Sequence, residues 1–91
     1  MEFSSIDDFY SFVEVIRQKL NQEGLSNSAE QLSFILNDGV YTTSSEIFGE
    51  IKLILQKIIE EKSGEVSNEL LENIKTVIST IDKAFRVANG L

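Results

Sequence analysis

The chain contains no cysteine, no histidine, no proline and no tryptophan. Without thiols or imidazoles it has no disulfide, no thiolate nucleophile, no cysteine- or histidine-ligated zinc or haem, and no Ser-His-Asp triad. The Glu-x-x-His pattern of di-iron bundles is excluded for the same reason. Cysteine usage, being nil, says nothing of redox compartment. At average usage a chain of 91 residues would carry roughly four or five prolines; their absence favours long helices without kinks.

Positive charge is also scarce. Eight Lys+Arg face 15 Asp+Glu, a net charge of −7, which argues against nucleic acid and against an anionic membrane as partner. No apolar run approaches membrane-spanning length. The opening MEFSSIDDFY places carboxylates where a signal peptide would carry positive charge, so the cytoplasm is the expected location.

What remains is a chain sized for one helical domain, residues 1–91. Hydrophobic burial and the entropy of ordering nearly cancel at this length, so either the packing is efficient or a partner subunit adds burial. Four segments carry helical periodicity. The first begins near Ser5, with Asp8 at the capping-box position, and Ile6, Phe9, Tyr10, Val13, Ile16 and Leu20 form its stripe until Gly24 stops it. The second is short. Asn27 is its expected cap, Ala29, Leu32, Ile35 and Leu36 its stripe, and Gly39 its end, with Phe34 lying outside the stripe.

Thr43 and Glu46 form a capping box for the third segment, whose broad face runs from Ile47 to Ile59 before Gly64. Gly49 inside it costs about 1 kcal/mol relative to alanine; close approach of another helix is the reason expected for it, with plain sequence drift as the alternative. Ser67 caps the fourth segment, with Val66 and Leu71 spaced for a hydrophobic staple. Its stripe is Leu70, Ile74, Val77, Ile81, Ala84 and Ala88, and Asn89-Gly90-Leu91 resembles a Schellman close at a natural chain end. The pattern predicts an all-α, compact four-helix bundle, antiparallel, with a short second helix.

The charge is unevenly spread. Residues 1–50 hold nine acids against Arg17 and Lys19 alone, whereas residues 51–91 hold six acids and six bases. The whole net charge therefore belongs to the first half. Asp7, Asp8, Glu30 and Glu46 fall in first turns, where the helix dipole favours them, so capping and solubility account for part of the excess. The other reading is a surface for a basic partner protein, because a field of one sign steers association and rejects wrong partners. The candidate protein-binding residues are Asp7, Asp8, Glu14, Glu30, Asp38, Glu46 and Glu50, with Tyr41 as central anchor if exposed. Tyr10, on the apolar stripe, belongs to the core edge.

Enzymatic and cofactor readings find little to build on. Glu46 and Glu50 share a helix face, as do Glu61 and Glu65, but such pairs are ordinary on acidic helices. A magnesium site from Glu46, Glu50 and Asp38 is chemically conceivable and otherwise unsupported. Asn37-Asp38-Gly39 reads as a helix stop, lacking the spaced carboxylates of a calcium loop. No phosphate loop or serine elbow is present. No catalytic residue, metal or cofactor is assigned, and the protein is expected not to be an enzyme. A helix-turn-helix reading fails because Lys52, Lys57 and Lys62 are outweighed by Glu46, Glu50, Glu60 and Glu61.

In size, acidity and helical character the chain is similar to bacterial immunity proteins and antitoxins, a resemblance of general form that assigns no residues. It implies an inhibitor that occludes a basic partner such as a nuclease toxin. The alternative is a structural or adaptor subunit that homodimerises, or docks on a larger complex, through the apolar face of its third or fourth helix.

Overall fold

The first helix, α1 (Ile6–Gln22), buries Phe9, Val13, Ile16 and Leu20 on one face, at the three- and four-residue spacing of its sequence. The computed structural model describes residues 6–38 and 44–88, and side chains over 7–37 and 45–86. The expected caps at Ser5 and Thr43, the glycine stop at Gly39 and the close at Asn89-Gly90-Leu91 lie outside the described residues.

The end of α1 follows from one glycine. Gly24 takes φ 90°, the left-handed region that glycine enters without penalty. Its N–H reaches the Asn21 carbonyl at 3.3 Å, and the Leu25 N–H reaches the Leu20 carbonyl at 2.9 Å. This is a Schellman close, and its hydrophobic partners, Leu20 and Leu25, are both buried. Because Leu25 is drawn into the core there, its carbonyl immediately accepts the Ala29 N–H at 3.0 Å and the next helix restarts. Hence α2 (Ser26–Ser33) begins from Leu25 without a side-chain cap, rather than from the expected Asn27.

After Ser33 the backbone widens into a π-helical turn, Phe34–Asp38. The Asn37 side-chain amide donates to the Ser33 carbonyl at 3.1 Å, occupying the acceptor that the next α-helical bond would use. The turn keeps Ile35 buried and leaves Phe34 58% exposed.

The third helix, α3 (Ser44–Lys62), buries Ile51, Leu55 and Ile58, with Ile47, Phe48, Ile54 and Ile59 packed half-buried at the margin. Gly49 corrects an expectation: a Cβ there would meet nothing within 4 Å, so no neighbouring helix requires a glycine. A single 3₁₀ turn, Ser63–Glu65, leads to α4 (Asn68–Ala88).

Ser67 caps α4 as expected, its hydroxyl accepting the Leu70 N–H at 3.2 Å. The position where a capping-box glutamate would stand is Leu70 itself. Glu23, from the end of α1, does that task instead: its carboxylate accepts the Ser67 N–H at 2.7 Å and the Ser67 hydroxyl at 2.9 Å.

Three contacts fix the directions. Lys19, late in α1, pairs with Glu69 at the start of α4 at 2.8 Å. Lys52, early in α3, pairs with Asp82, late in α4. The Phe9 and Phe48 rings meet edge-on at 5.0 Å, near the starts of α1 and α3. So α1 and α3 run together and α4 runs against both. Each helix packs on its chain neighbours, and α4 returns to α1 to close the ring. The result is a compact four-helix all-α bundle with a radius of gyration of 12.7 Å. Its core is apolar throughout the described residues, with no buried polar side chain. No helix among the described residues is long and apolar enough to cross a membrane.

Candidate functional site

The seam between α2 and α3 is left open by its side chains. On α2 the residues along this seam are Asn27, Ser28 and Gln31, too small or too polar to fill it, while Ala29 and Leu32 point into the core. Two openings result, and they share Asn27, Gln31 and Ile54, so they form one groove. Leu25, Ile35 and Ile58 lie buried beneath it, and Ile54 is the half-buried apolar residue that both openings share.

The two ends of the groove differ in charge. At the π-turn end, an opening of about 790 Å³, the lining is Asn27, Glu30, Gln31, Phe34, Ile35, Glu50 and Ile54. Glu30 and Glu50, twenty positions apart in sequence, face this space from different helices, and no lysine or arginine among the described residues lines it. Both carboxylates are exposed, and neither is paired with another described residue. Phe34 presents its ring beside them. At the other end Lys57 and Lys62 alternate with Glu61 and Glu65, so the charges offset.

The other sequence candidates are placed differently. Asp7 and Asp8 are exposed in the first turn of α1, and Glu46 is exposed in the first turn of α3; none of the three lines the groove. Glu14 is held by Arg17 in a forked pair, with contacts of 2.6, 2.8 and 2.9 Å. The Arg17 hydrogen bonds hold its carboxyl below the usual range, against the opposing effect of partial burial. Glu14 also borders a separate opening with Tyr10, Leu36 and Ile47. Asp38 closes the π turn, its side chain outside the described set, and Tyr41 lies wholly outside it. Tyr10 sits half-buried against Phe9 and Phe48, at the core edge as expected.

Among the described residues no group of three potential metal ligands comes together. The stripes of α3 and α4 face one another inside the bundle, and the large apolar residue that α3 turns outward is Leu53, 62% exposed. Phe34, Ile54 and Gln31 were not among the sequence candidates. One signal pointed to the first of them, since Phe34 stands off its helix's apolar stripe.

Compared with protein-family models, with curated proteins and with solved structures, the chain matches none.

Proposed function

We propose that this protein is a small binding module of the inhibitor or immunity kind, which occludes a cationic surface on a basic partner protein. The observation that carries this reading is that Glu30 and Glu50, from different helices, line one opening with the exposed Phe34, with no lysine or arginine among its described lining residues. Two carboxylates facing one opening with no cation of their own gain from a lysine or arginine placed between them. An exposed aromatic supplies apolar contact area next to those acids, and aromatic side chains are enriched where proteins meet. The remaining acids of the first half, Asp7, Asp8 and Glu46 among them, extend the negative field and accelerate encounter. Inhibition is steric: the acidic half covers the partner's substrate-binding groove, and the α3–α4 pair gives rigid support.

The test is capture from native lysate on immobilised protein at low and high salt, alongside a Glu30→Lys, Glu50→Lys double variant. The expected result is one strongly basic protein, retained at low salt, released by salt and missed by the double variant. Recovery of nothing, or of this chain alone, overturns the reading.

A further inference from the structure

We draw no further inference here: the strongest candidate, the opening between the uncapped start of α2 and Lys57 and Lys62 of α3, is a helix N-terminus whose nearby lysines are offset by Glu61 and Glu65, and among the described residues no buried, unpartnered polar side chain points to a ligand there.

Discussion

Two single residues report how local rules are met or broken. Gly49 has neither a left-handed backbone nor a neighbour within 4 Å of a Cβ, so it carries only the cost of glycine in a helix. Gly49→Ala is expected to stabilise the protein by about 1 kcal/mol, raising the thermal midpoint by roughly 4–8 °C in calorimetry. Glu23 and Ser67 are the opposite case, a cap assembled from two helices far apart in sequence. Glu23→Gln and Ser67→Ala should each lose about 1 kcal/mol in urea denaturation. The double variant should lose less than the sum, because the bond from the Ser67 hydroxyl to the Glu23 carboxylate is removed by either change. Additive losses would mean that the Glu23 carboxylate contributes nothing through Ser67.

Among the elements, α2 is the weakest. It has eight residues, no side-chain cap and a π turn in place of further α-helix, so it cannot persist without Leu25, Ala29, Leu32 and Ile35 in the core. Hydrogen exchange should show α2 amides opening more readily than those of α4, whose 21 residues bury Leu70, Ile74, Val77 and Ile81. Equal protection would place α2 in the same cooperative unit as α4. The π turn ties this weakness to the proposed site, since Phe34, which stands off the apolar stripe and is exposed, is its first residue. Phe34→Ser should change stability by less than about 0.5 kcal/mol, as for other exposed positions, while abolishing capture of the basic partner. A large loss of stability would make Phe34 a core residue instead.

For the whole molecule, the ion pair between Lys19 of α1 and Glu69 of α4 is what pH addresses. Lys19 holds the Glu69 carboxyl below its usual range, chiefly through their hydrogen bond. A carboxyl lowered in the folded state adds stability above its unfolded value, about 4.3. That contribution fades as pH falls through the folded value. The stability difference between wild type and Lys19→Met should therefore be constant from pH 7 to about 5 and vanish at lower pH. A difference that persists at pH 2 would assign it to the packing of the lysine stem. Glu69 is fully exposed, so the difference is small at any pH and shrinks with salt.

Much of the fold was legible because it depends on spacing and short-range chemistry. The stripes of α1, α3 and α4, the stop at Gly24 and the cap at Ser67 follow from side chains three and four apart and from one left-handed glycine. The start of α2 was not legible, because Leu25 opens that helix only once the Schellman close has carried it into the core. The place of Gly49 and the tie from Glu23 to Ser67 were hidden for a like reason: both depend on what stands nearby in space. By itself the sequence determined four helices, an apolar core and an excess of negative charge confined to residues 1–50. Only tertiary structure brought Glu30 and Glu50, from different helices, to the rim of one opening, whereas the Glu14–Arg17 pair is a contact between neighbouring turns of α1 that sequence spacing allows. Charge adds up along a chain, but a surface is made by the helices that pack beside one another.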